Sequence, residues 1–81
     1  MQTIIRNSKE LGEAMRLART RSAMRQTDVA KKAGIRQALV SDLENGVAAA
    51  KLDTLIKVLA VLDMDLSVMP RRKDEFDPTE Y

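Results

Sequence analysis

The chain has no cysteine and no histidine among its 81 residues. Without cysteine there is neither a disulfide framework nor thiolate chemistry, and without histidine the commonest acid–base group and metal ligand is missing. Zinc sites and catalytic triads therefore have no starting material. These absences argue against an enzyme, and no metal or cofactor is expected. Long hydrophobic runs are absent too: none approaches the ~20 residues of a transmembrane span. The opening MQTIIRNSKE also lacks the charged-then-apolar layout of a secretory signal, so a cytoplasmic protein is expected. A chain this short supports one small domain, whose core is often completed by a partner or by self-association.

What charge there is lies unevenly. Residues 1–73 hold all 14 Lys/Arg against 8 Asp/Glu, a net +6, whereas the final DEFDPTEY adds 4 acids and no base. A basic body with an acidic end suits a polyanion-binding domain over residues 1–70 and a separate charged tail over 71–81. Charge and Pro78 predict disorder for that tail in isolation. The only two aromatics, Phe76 and Tyr81, sit in it among acids. Two readings remain open for them, an anchor for a partner with a basic groove and a merely solubilising tail.

Hydrophobic spacing predicts four helices. The first follows Asn7-Ser8, with Ser8 able to cap and Leu11, Met15 and Ala18 at helical spacing, and runs to about Arg21 or Ser22. The second, Gln26 to Ala33, turns Val29, Ala30 and Ala33 inward and ends at Gly34, which can take a positive φ. The third begins near Arg36 and stops at Asn45-Gly46. The fourth, from about Leu52 to Leu62, is apolar at 52, 55, 56, 59 and 62 and again at Val58, Ala60 and Val61. A helix apolar on most sides is buried on most sides, and so short a chain has little material to cover both faces. Val58 and Val61 are therefore expected at a homodimer interface, a larger core being the alternative. Met64, Leu66 and Val68 then alternate with Asp65 and Ser67 up to Pro70, which predicts a short strand. Leu66 and Val68 join the expected interface, because a lone strand leaves unpaired backbone groups. Its partner is either Ile4-Ile5 or the same strand of a second subunit.

The stretch AGIRQALVSDLENG, from Ala33 to Gly46, carries the functional signal. At 100° per residue Leu39, Val40 and Leu43 fall together, with Ile35 packing just ahead of the helix, and Gln37, Ala38, Ser41 and Asp42 share the opposite side. That side is short and polar, with Arg36 leading it and positive charge nearby at Arg25, Lys31 and Lys32. It suits a helix laid N-terminus first into the DNA major groove. Gln bonds adenine N6 and N7 together, Arg bonds guanine O6 and N7, and Ala38 and Ser41 allow close approach to base edges. The helix before it would cross the backbone with its N-terminal amides near a phosphate.

The longer run QTDVAKKAGIRQALVSDLENG resembles the helix-turn-helix of the phage-repressor-like family (Cro/C1, or XRE). Gln26 opens the second helix, Ala30 lets the helices close, Gly34 makes the turn, and Leu43-Glu44-Asn45-Gly46 closes the reading helix. The resemblance covers roughly residues 8–63. It implies a mainly α, lambda-repressor-like domain of four to five helices that binds double-stranded DNA at a palindromic operator, the short C-terminal β-strand being completed by dimerisation. By the same resemblance Gln26 and Asn45 hold phosphates, Arg36, Gln37, Ala38 and Ser41 face bases, and Arg19 pairs with Glu44 inside the fold. This chain departs from the pattern at Ala23, where the family often has Gly, and at Arg25, where it often has a capping Thr or Ser. Each departure costs about 1 kcal/mol. Arg25, like Lys31, is available as a phosphate contact instead, and Arg36 likewise trades a cap for charge.

The ending LDTLIKVLAVLDMDLSVMP, one long helix followed by one strand and a charged tail, resembles the layout of HipB-type antitoxins. That resemblance implies a transcriptional repressor of its own operon that also binds a HipA-type serine/threonine kinase toxin. A stand-alone repressor and a protein-interaction module without specific DNA binding are the alternative readings. Salt response separates the module from the repressors, since each neutralised phosphate lowers log affinity by about 0.9 per unit of log salt.

Overall fold

The computed structural model describes residues 3–47 and 50–71. Four helices, α1 (Ser8–Arg21), α2 (Gln26–Ala33), α3 (Gln37–Glu44) and α4 (Leu52–Val61), make up the fold. It is mainly α, and each helix starts and stops within a residue or so of where spacing and turn residues place it. At the first N-terminus the cap is Asn7 rather than Ser8. The Asn7 side chain accepts the Glu10 N–H at 2.8 Å, the Glu10 carboxylate accepts the Arg6 N–H at 2.7 Å, and Ser8 is the first helical residue. Asparagine reaches the third amide of the helix as well as serine does.

All four helices end in the same way. A residue in the left-handed region follows the last turn: Ala23 (φ 55°), Gly34 (φ 70°), Gly46 (φ 73°) and Asp63 (φ 59°). The next N–H in each case bonds back to a carbonyl five residues earlier, Met24 to Arg19, Ile35 to Ala30, Val47 to Asp42 and Met64 to Leu59, at 2.8–3.1 Å. This is the Schellman arrangement, which satisfies carbonyls that a helix end otherwise leaves open. Two of the four positions carry glycine, which has no Cβ to strain there. Ala23 and Asp63 hold the same conformation against a steric cost.

Met15 from α1, Val29, Ala30 and Ala33 from α2, Val40 and Leu43 from α3, and Val58, Leu59 and Leu62 from α4 and its end form the core. Leu11, Ala18, Met24, Ile35, Leu39, Leu55 and Val61 pack around it, partly buried. Val58 is completely buried in this core, so it cannot belong to a subunit interface as its spacing had suggested. Residues 55, 58, 59 and 62 make the covered face of α4. Val61 is half-buried at its edge, and the open face carries Leu52, Ile56 and Ala60. Both faces are apolar, so periodicity alone could not choose between them.

Among the described residues there is no strand. The expected strand at residues 65–69 and the Thr3-Ile4-Ile5 segment are not paired with each other, and Leu66, Val68 and Met69 are exposed, Val68 almost fully. A strand exists only through a neighbour that accepts its hydrogen bonds, and the described residues supply none here. The tail from residue 72, with Phe76 and Tyr81, lies outside the described residues. No helix among the described residues is long and apolar enough to cross a membrane.

Ala23 is exposed, so replacing it with glycine sacrifices no packing and relieves the left-handed strain. Ala23→Gly is expected to stabilise the domain by about 1 kcal/mol, raising Tm by roughly 4–8 °C in a melt followed by circular dichroism. A lower Tm would mean that the turn draws its stability from the chain entropy that alanine removes.

Candidate nucleic-acid interface

The site begins with a glycine inside a helix. A Cβ on Gly12 would overlap the carbonyl oxygens of Leu43 and Glu44, and one on Gly46 would lie 2.8 Å from the Lys9 Cα. Glycine at these two places lets α1 lie directly against the C-terminal end of α3. One and two turns further along α1, Arg16 and Arg19 are thereby brought over Glu44.

Glu44 is the only buried charged residue among those described, with a side chain 2% exposed. Its carboxylate accepts four hydrogen bonds. Arg19 donates from Nε at 2.6 Å and from Nη2 at 3.1 Å, Gln26 from Nε2 at 3.1 Å, and Arg16 from Nε at 3.5 Å. Arg19 also donates Nη1 to the Met24 carbonyl at 2.9 Å, which ties down the turn between α1 and α2. Burial pushes the Glu44 carboxyl up, but hydrogen bonds from Arg19 and Gln26 and the charge of Arg19 more than offset this, so its pKa ends below the usual glutamate value. Arg19 is held correspondingly more firmly protonated, mainly by its hydrogen bonds to Glu44. The Arg19–Glu44 pair implied by family resemblance is therefore present and sheltered.

The network reaches the two side chains that flank the helix-turn-helix. Gln26, the first residue of α2, is held by Glu44, and Asn45, just past α3, accepts Arg16 Nη2 on Oδ1 at 2.9 Å. Chemistry sets both amide orientations. A carboxylate only accepts, so Gln26 must present its nitrogen to Glu44, and a guanidinium only donates, so Asn45 must present its oxygen to Arg16.

The remaining sequence-predicted residues lie along one side of this frame. Arg36, Gln37 and Ala38 are exposed and Ser41 is partly so, while Val40 and Leu43 on the reverse of α3 are buried. Neither Arg36 nor Arg25 makes a side-chain cap at the helix it precedes. At α2 the Asp28 carboxylate instead accepts the Arg25 N–H at 2.8 Å, and this hydrogen bond lowers the Asp28 pKa. The Arg25 guanidinium stands 85% exposed, 3.6 Å from the Asp28 carboxylate, and Lys31 is exposed on the same helix. Leu66 and Val68, expected at an interface, are exposed on the segment after α4.

Two residues of the site escaped sequence reasoning. Gly12 had a readable signal, a glycine between Leu11 and Met15 where helix propensity disfavours it. Arg16 had a fainter one, lying one turn before Arg19 on the same face of α1.

Two short helices joined by a glycine turn, the second with a small polar face turned outward, define a helix-turn-helix domain. The helix-turn-helix family model matches residues 15–69. The chain belongs to the Cro/C1-type (XRE) helix-turn-helix family, a class of DNA-binding proteins that are not enzymes. Antitoxin HipB of Escherichia coli (strain K12) is 32% identical over 71 residues, covering 88% of this chain and 81% of that protein. The fold is also similar to HipB in a HipA-HipB-O2-O3 complex, with TM-score 0.78 and 31% identity over 88% of this chain and 100% of that one. A more distant likeness is to SinR, a master regulator for biofilm formation, in complex with DNA, with TM-score 0.63, 27% identity and coverage of 68% and 89%.

Removing Glu44 leaves Arg19 sheltered without its counter-charge. Glu44→Ala is expected to cost about 3–5 kcal/mol at neutral pH, measured by urea unfolding. The folded-state pKa of Glu44 lies below its unfolded value, so its contribution is complete above the ordinary glutamate pKa and is lost as pH falls through the folded one. The parent should weaken on acidification through that window, and Glu44→Gln should weaken less steeply. An equal acid slope in both proteins would assign the loss to other carboxylates.

Proposed function

We propose that the chain is a dimeric, sequence-specific DNA-binding repressor and the antitoxin of a HipA-type serine/threonine kinase. The observation that carries the DNA reading is the Glu44 network. It fixes Gln26 and Asn45 at the two ends of the helix-turn-helix while the side of α3 bearing Arg36, Gln37 and Ala38 stands open. That geometry fits a reading helix in the major groove, with Arg36, Gln37, Ala38 and Ser41 toward base edges and Arg25, Gln26, Lys31 and Asn45 toward phosphates. The antitoxin reading is supported by likeness to HipB and by the HipA-HipB complex among its structural relatives. Repression of its own operon is part of the same proposal.

Dimerisation is supported by apolar surface that one subunit leaves open. Leu52 and Ile56 on α4 are 58% and 47% exposed, and Leu66, Val68 and Met69 beyond it are also exposed. Large apolar side chains left exposed in this number suit an interaction site. A second copy of the same segment would supply the strand partner that is absent among the described residues.

DNA reading is tested by titrating the parent and two variants against a palindromic duplex and a scrambled one across a range of salt. Gln37→Ala should lose about 1–3 kcal/mol and relax preference at one base pair, whereas Arg25→Ala should weaken all duplexes and lower the salt slope by about one. A uniform loss for Gln37→Ala would make that residue a backbone contact, and salt-independent binding by the parent would favour a protein-interaction module. For the antitoxin reading, co-expression with a HipA-type kinase should yield a stoichiometric complex; failure to form one would leave a stand-alone repressor.

The interface is tested by Ile56→Lys, which sits on the open face and spares the core. It should shift the protein from dimer to monomer in sedimentation at micromolar concentrations. An unchanged dimer would place the interface elsewhere.

A further inference from the structure

Arg16 lies on α1, outside the helix-turn-helix proper, yet it bridges two of that motif's residues. Its Nε is 3.5 Å from Glu44 Oε1, its Nη2 donates to Asn45 Oδ1 at 2.9 Å, and its side chain is 52% exposed. Arg19, one turn later, is only 15% exposed, with Nε and Nη2 bonded to Glu44 and Nη1 to the Met24 carbonyl. Arg19 is thus spent on the fold, whereas Arg16 keeps donors at the surface.

We propose that Arg16 is part of the DNA-contacting surface: it positions Asn45 with its amide donors facing outward and adds its own guanidinium charge along the same edge. This rests on the DNA-binding reading above. The orientation follows from donor and acceptor chemistry. Because Arg16 occupies Asn45 Oδ1, the exposed Asn45 keeps its Nδ2 group on the side of the amide turned from that guanidinium, and among the described residues no other side chain bonds it. An outward amide donor beside a half-exposed guanidinium is complementary to a phosphate, which only accepts. Without Arg16 the Asn45 amide is free to rotate and present its oxygen, which repels a phosphate. Glu44 holds the arrangement from below, since it draws Arg16 toward the end of α3 while Arg19 and Gln26 neutralise and saturate the rest of its carboxylate.

The experiment compares the parent with Arg16→Met, Asn45→Ala and the double variant, on palindromic and scrambled duplexes over a range of salt, with thermal melts alongside. Methionine keeps an apolar stem of similar length, and Arg16→Gln serves as a second variant that removes the charge but keeps a polar head. Either Arg16 variant should bind both duplexes about tenfold more weakly, with a salt slope lower by about one. Positioning makes the two sites interdependent, so Asn45→Ala should cost much less in the Arg16→Met background than in the parent. Parent-like affinity and slope in both Arg16 variants would overturn the proposal. So would losses that simply multiply in the double variant, because Asn45 would then act without Arg16. Failure of the parent itself to bind any duplex would instead sink the DNA-binding reading on which the proposal rests.

Discussion

The fold is organised around one buried carboxylate. Glu44 could not be removed from water alone, because the desolvation of a single charge costs several kcal/mol. Here it receives donors from Arg16 and Arg19 on α1 and from Gln26 on α2, while it belongs itself to α3. One side chain thus joins three helices, and through Arg19 and the Met24 carbonyl it also holds the turn between the first two. The requirement runs backward to the backbone. Arginines on α1 reach the end of α3 only because Gly12 and Gly46 let the two segments approach without a Cβ between them.

An ionic hub of this kind sets geometry more than it adds stability, since a well-packed apolar cluster of similar volume could be as stable. Its consequence is that α2 and α3 are held at a defined angle with Gln26 and Asn45 in defined orientations. The apolar residues do separate work. Met15, Val29, Val40 and Val58 fill the space between the helices, and they would tolerate modest changes of shape that the hydrogen-bonded cluster would not. The helix ends add a third layer. Each of the four closes on a left-handed residue, and the chain accepts an alanine and an aspartate in that role as well as two glycines. Those two strained positions lie beyond α1 and α4, away from the turn that joins α2 to α3, where Gly34 supplies the conformation without steric strain.

Much of this was legible in the chain before any coordinates. Helical spacing located all four helices, because the 3.6-residue repeat is a local property that each segment carries by itself. Gly34 and Gly46 marked two of the helix ends, and the inward and outward sides of α3 divided as the pattern of Leu39, Val40 and Leu43 required. The Arg19–Glu44 pair came from family resemblance and not from spacing, and the structure places the two within 2.6 Å.

Spacing could not say which apolar face of α4 is covered. Val58 and Ile56 are equally apolar in the sequence, and only the placement of the other three helices puts one in the core and leaves the other in solvent. Nor could alternation at residues 64–68 determine a strand, because pleating is a local tendency whereas the hydrogen bonds that make a strand come from another segment. Arg16 stayed hidden for a similar reason. Its partners Glu44 and Asn45 lie 28 and 29 residues away, and the Gly12 approach that joins them is a contact between distant parts of the chain. Local periodicity belongs to the sequence by itself; the choice of face, the pairing of backbone and the meeting of distant charges belong to packing, which exists only when all four helices are in place.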